Sequence, residues 1–80
     1  MRILDTNADA AVKNIILYLK AEEAKELYDS IGILLKENDF NHHAHIDDAS
    51  FEHEITLVLY DEQHMGSLNE RSKKIIVEDV

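Results

Sequence analysis

The chain has no cysteine, no proline, no tryptophan and only two glycines in 80 residues. Without cysteine there are no disulfides, no thiol nucleophile and no Cys-based zinc site, a composition that fits the reducing cytoplasm. Two isolated glycines, Gly32 and Gly66, cannot build a glycine-rich phosphate loop, and no nucleophile elbow is present. Ser30, Ser50, Ser67 and Ser72 sit in helical or turn contexts that account for them locally. Long apolar runs are missing too. The longest strictly apolar run is Ile15 to Leu19, far short of a membrane span, and MRILDTNADA lacks the apolar stretch of a secretory signal. These absences predict a soluble cytoplasmic protein with no membrane contact.

Positive charge is the next shortage. Eight Lys and Arg stand against 17 Asp and Glu, giving a formal net charge of −9, and such a surface repels nucleic acid. The length predicts one domain, residues 1–80, because a chain this small buries only about 60% of the surface its unfolded form exposes. Two-domain enzymes and dinucleotide folds are excluded, and a ligand pocket of about 300 Å³ or more is hard to build from one such chain. No catalytic or cofactor-binding residue stands out among the 17 acids, so a non-enzymatic protein is expected.

What is present is unevenly placed. Between Lys36 and Arg71 there is no Lys or Arg, while nine acids and all five histidines (His42, His43, His45, His53 and His64) lie there. The segment from Ser67 onward balances Arg71, Lys73 and Lys74 against Glu70, Glu78 and Asp79, so the acidic excess belongs to residues 1–66. Hydrophobic residues at 45% and charged residues at 31% make a globular composition.

Periodicity predicts the elements. Asn14 to Leu19 reads as a strand apolar on both faces, and Ala24, Leu27, Tyr28, Ile31, Leu34 and Leu35 mark a helical stripe over Ala21 to Glu37. Gly32 lies inside that helix, either required by close packing or simply tolerated. Asn38, Asp39 and Asn41 end the helix, His42 to Ile46 is a short strand, and FEHEITLVLY is the clearest strand of the chain. A four-residue loop between Ile46 and Phe51 puts Ala44, Ile46, Phe51, His53 and Ile55 on one face and His43, His45, Glu52 and Glu54 on the other. Ser67 with Glu70 forms a capping box opening a helix to Glu78, Arg2 to Asp5 is a further short strand, and Thr6 to Ala11 is loop or a helical turn. The fold class is α+β, a small, mostly antiparallel sheet of about three strands packed by one long helix, plus a short C-terminal helix.

Two constellations can carry chemistry. Imidazole ligates Zn, Cu and Ni well, so His43 and His45, with His53 and Glu54 nearby, form a candidate site for zinc or another divalent metal within the segment His42 to His45. The simpler reading of the same residues is His–Glu cross-strand pairing. His53 is expected at the core edge with a backbone partner, and His64 in solvent. His43-x-His45-x-Asp47 resembles the first metal motif of metallo-β-lactamase-fold hydrolases, but 80 residues cannot supply their two-sheet scaffold. Acidic surroundings predict that the histidines titrate at or above their ordinary value near 6.5, and protonating all five takes the net charge from −9 to −4. Second, Glu22, Glu26 and Asp29 on the outer face of the long helix form a candidate docking surface for a basic protein, although any amphipathic helix has a charged face.

The order strand, YLKAEEAKELYDSIGILL, HHAH and EITLVLYDE, with an Asn-Glu-Arg helix near the end, resembles a group of small bacterial proteins of unknown function. The resemblance implies a common fold from Ile16 onward and no activity. In that group Ser or Thr is expected to cap the long helix, where this chain has Lys20. Exposed sheet edges and a marginal core further predict a homodimer.

Overall fold

The computed structural model describes residues 1–37 and 43–80, so Asn38, Asp39, Asn41 and His42 lie outside the described residues. The elements in chain order are β1 (Leu4–Asp5), β2 (Ala10–Ala11), α1 (Ala21–Glu37), β3 (His43–Asp47), β4 (Glu54–Val58) and α2 (Glu70–Glu78). The α+β class is as expected. In place of a single sheet there are two antiparallel two-stranded sheets, β1 with β2 and β3 with β4. No described helix is long and apolar enough to cross a membrane.

The residues divide into two compact units. One comprises Met1–Leu17 with Met65–Val80, the other Tyr18–His64.

In the second unit, α1 keeps the boundaries its periodicity predicts. Lys20 contributes no side-chain cap. Instead Glu23 reaches back and accepts from the Lys20 backbone N–H at 2.8 Å, half of a capping box. Glu22 and Glu23 in the first turn and Lys36 in the last suit the helix dipole. The residues of α1 that are not exposed are Glu23, Leu27, Ser30 and Leu34, a single stripe at helical spacing, and α1 packs against β3. The apolar stripe predicted from sequence is wider than this. Ala24, Tyr28, Ile31 and Leu35 stay exposed, because one two-stranded sheet covers only the Leu27–Leu34 side. A Cβ built on Gly32 meets nothing within 4 Å, so packing does not require this glycine.

The β3–β4 register pairs Ala44 with Leu57 and Ile46 with Ile55 on the inner face; His43 with Val58, His45 with Thr56 and Asp47 with Glu54 share the other face. This corrects the predicted four-residue loop. Phe51, Glu52 and His53 belong to a longer connection and not to the strand, because Asp48 organises that connection with its own hydrogen bonds. The predicted strand Asn14–Leu19 is also corrected. Those residues form no regular element and Ile15 to Leu19 are exposed; among the described residues no strand runs beside them to supply backbone partners.

The first unit is a small hairpin and a helix. Arg2 to Asp5 does yield β1, but Ala10–Ala11, expected in a loop, pair with it across the turn Thr6–Asp9. The cap of α2 is Asn69, not Ser67: Met65 to Leu68 close a turn, and Asn69 Oδ1 accepts from Ser72 N at 2.7 Å. Ile75 is buried. Arg2 Nε donates to the carbonyls of Ile75 and Ile76, both at 3.1 Å, placing a cation where the helix end is negative. Lys13 pairs with Asp79, holding that carboxyl below its ordinary pKa, and Arg71 Nε bonds Asp9 at 2.5 Å.

Candidate functional site

The solvent face of the β3–β4 hairpin and its loop gather the histidines. Pleating places His43 and His45 side by side, their rings edge to face with centroids 4.8 Å apart. His45 Nδ1 lies 2.9 Å from Thr56 Oγ1, directly opposite in the register, and 3.1 Å from the diagonal Glu54 Oε1. Thr56 in turn donates to the same Glu54 oxygen at 3.1 Å. With its hydroxyl proton committed to Glu54, Thr56 can only accept from His45, so the imidazole carries a proton on Nδ1 and its Nε2 points the other way. The Thr56 hydrogen bond, ahead of the other influences, keeps the Glu54 carboxyl below the ordinary range. Asp47, opposite Glu54, moves upward, first through partial burial and then through the Glu54 charge beside it.

The loop from Asp48 to His53 turns on one carboxylate. Asp48 Oδ1 accepts from the backbone N–H of Glu52 at 2.9 Å and His53 at 3.3 Å, and from Ser50 Oγ at 3.3 Å; its Oδ2 meets His53 Nδ1 at 2.5 Å. The His53 bond and these backbone donors hold the Asp48 pKa down to about 2, and the same bond raises that of His53. Phe51 at the tip is exposed and has φ 57°, a left-handed conformation unusual for an aromatic residue. His64 Nδ1 lies 3.2 Å from Asp61 Oδ2.

The structure therefore brings His43, His45 and Glu54 onto one strand face, with Glu54 engaged as the orienting partner of His45. His53, predicted at the core edge with a backbone partner, is instead exposed and bonded to the Asp48 side chain, because the longer loop removes it from the strand. His–Glu pairing, the simpler expectation, is realised by His45 and Glu54. Among the described residues no three His, Asp or Glu side chains are grouped to hold a metal ion. Thr56 and Asp48 escaped the sequence reading. Asp48, two residues before Ser50 in a polar turn, carried the signal of a side chain that caps its own loop.

Known protein families, curated proteins and solved structures were compared with the chain, and none matches. The site must therefore be read from its own chemistry. Glu22, Glu26 and Asp29 are exposed on α1, and Asp29 is paired with Lys25 at 3.0 Å, one turn away. Among the described residues, a shallow depression beside Tyr60 is lined by the consecutive residues Tyr60 to Gln63.

Proposed function

We propose that this protein is a small acidic interaction module of the cytoplasm, non-enzymatic, homodimeric, and taking a basic protein partner as an inhibitor or antitoxin does. The observation that carries the reading is the disposition of α1. Its half-buried stripe, with Leu34 buried, lies on the side packed against β3, and its first half presents Glu22 and Glu26 to solvent within a chain of net charge −9. Such a surface accelerates encounter with a cationic partner and fixes its orientation. Dimerisation is supported by the modest interior, in which Leu34, Ile46 and Ile75 are the buried hydrophobic residues among those described, and by two-stranded sheets among the described residues. The likeness to small bacterial proteins of unknown function supports a shared fold with them and adds no activity.

Binding to a lysine-rich peptide tests the acidic face. Affinity should fall as salt rises and fall again in the double variant Glu22→Lys, Glu26→Lys. Affinity indifferent to both salt and charge reversal would rule the surface out.

A second reading, binding of zinc or another divalent metal, is favoured by the paired rings of His43 and His45, with His45 Nδ1 held by Glu54 and Thr56. An imidazole oriented through Nδ1 presents Nε2 as a ligand. Two imidazoles fill half of a tetrahedral shell. Calorimetric titration with Zn²⁺ decides it: saturable binding lost in His43→Ala and His45→Ala supports the metal, and no heat above dilution removes it.

A further inference from the structure

Residues 14–19 and strand β4 each lack what the other offers. The segment carries the apolar run Ile15 to Leu19, exposed throughout, with Ile16 at 77% and Tyr18 at 89%. None of its backbone N–H or C=O groups finds a hydrogen-bond partner among the described residues. A β-branched and aromatic run of this kind needs a neighbouring strand to pair with. For its part, β4 is hydrogen-bonded among the described residues to β3 alone, so one of its edges is open to a further strand. Charge and spacing match the two. Residues 10–21 are the longest acid-free run of the chain, and within it Lys13 and Lys20 bound the segment, whereas Glu54 opens β4 and Asp61 follows it. Seven positions separate the lysines, and seven separate the acids. Laid antiparallel with Leu17 opposite Leu57, the segment sets Lys20 beside Glu54 and Lys13 beside Asp61. The same register adds Ile15, Leu17 and Leu19 to the face that carries Ile55 and Leu57. Lys20 has no ion pair among the described residues, and Lys13 is shared with Asp79. Two copies of the segment paired with each other would set lysine against lysine at both ends, so the match belongs to β4.

We propose that residues 14–19 of each copy add a third, antiparallel strand to β4 of a second copy, a reciprocal strand exchange across a twofold axis. The inference rests on the dimeric part of the function proposed above and specifies its surface. The connection to α1 selects a second copy as the acceptor. Helix α1 packs against β3 of its own sheet, and Lys20 is the single residue between Leu19 and Ala21. A strand that turns back beneath the helix following it takes about two to six connecting residues, so the segment cannot enter the sheet that its own α1 covers. The β4 edge of another copy carries no such restriction, and a hinge too short to close within one chain favours exchange between two.

Sedimentation velocity of the full chain at micromolar concentration tests the exchange, with far-UV circular dichroism recording helix content. The wild type should sediment as a dimer. Lys20→Glu and Glu54→Lys should each weaken self-association about fivefold, and the two together, which restore opposite charges across the copies, should recover most of it. Ile16→Pro combined with Leu17→Pro removes two N–H groups that no described contact within the chain uses. Neighbouring residues of a strand point their N–H groups to opposite edges, so one is lost toward β4, and the variant should be monomeric with helix content unchanged. A monomeric wild type overturns both the dimer and the exchange; a wild-type dimer indifferent to the prolines, or to both charge reversals, overturns the exchange alone. Should the proline variant lose its helices, an oxidised equimolar mixture of Leu17→Cys and Leu57→Cys proteins decides the matter. Preferential disulfide-linked heterodimer supports the exchange, and cross-linking no greater than that of Leu17→Cys mixed with Ala44→Cys, one strand further away, overturns it.

Discussion

Truncating Ile46 is the most direct probe of what holds the second unit together. Ile46 is 4% exposed, pairs with Ile55 across the hairpin, and lies on the strand that α1 packs against. Replacing a buried Ile by Ala removes the transfer energy of its lost carbons and leaves a cavity, together about 2–5 kcal/mol. The interior here is shallow, so neighbours can partly collapse, and the expected cost is about 2–3 kcal/mol. Set against a total of about 4–12 kcal/mol for 80 residues, that is a large share of the stability. Tyr18, Tyr28 and Tyr60 all fall within Tyr18–His64 and the chain has no tryptophan, so tyrosine fluorescence reports this unit while circular dichroism reports both helices. Urea titrations of wild type, Ile46→Val, Ile46→Ala and Ile33→Ala should rank in a fixed order. Ile46→Val costs about 1 kcal/mol, Ile46→Ala more, and Ile33→Ala, 57% exposed on α1, stays within about 0.5 kcal/mol of wild type. Equal shifts for Ile46→Ala and Ile33→Ala would refute the placement of the core between β3 and α1.

Three further outcomes are expected. Lys20→Ser completes the capping box that Glu23 half forms and should stabilise α1 by about 0.5–1 kcal/mol; a thermal midpoint that fails to rise argues against that cap geometry. Gly32→Ala places a methyl group in open space and should add about 0.5–1 kcal/mol by the same measurement, a loss indicating an unrecognised close neighbour. The Asp48–His53 pair makes the β3–β4 loop pH-sensitive in both directions. His53 has a raised folded pKa, so its contribution is full below the ordinary value near 6.5 and is lost as pH rises through the folded value. Asp48 is lowered, so its contribution is present above the ordinary carboxyl range and is lost as pH falls toward about 2. NMR titration of His53 should show an elevated pKa that returns to the ordinary value in Asp48→Asn; no change would separate the two residues.

Periodicity made α1 legible to its terminal residues, because an apolar stripe with acids in the first turn and a base in the last describes a helix whatever surrounds it. The β3–β4 pair was legible as alternation but not in register. The hydrogen bonds of Asp48 lengthen the loop and move Phe51 and His53 off the strand, and those bonds depend on a local conformation that alternation does not record. Residues 14–19 show the opposite limit. Their β-branched and aromatic pattern marks them for burial, but a strand exists only beside another strand, and the described residues of one chain provide none. At the candidate site, the histidines and Glu54 were visible as residue types. Which carboxylate would hold which imidazole depended on the register, so Asp48 for His53 and Glu54 with Thr56 for His45 became readable only once the hairpin was in place.

The division of the chain into Tyr18–His64 and a unit assembled from its two ends has a bearing on the order in which the protein forms. The inner unit is contiguous and complete as soon as His64 has left the ribosome. The outer one must wait, since Arg2 finds its carbonyls on Ile75 and Ile76 and Asp9 its guanidinium on Arg71, more than sixty residues further along. Prior folding of the inner segment shortens the loop that these late contacts must close, which lowers its entropic cost. Synthesis thereby makes every residue of the inner unit available before the contacts of the outer unit can close.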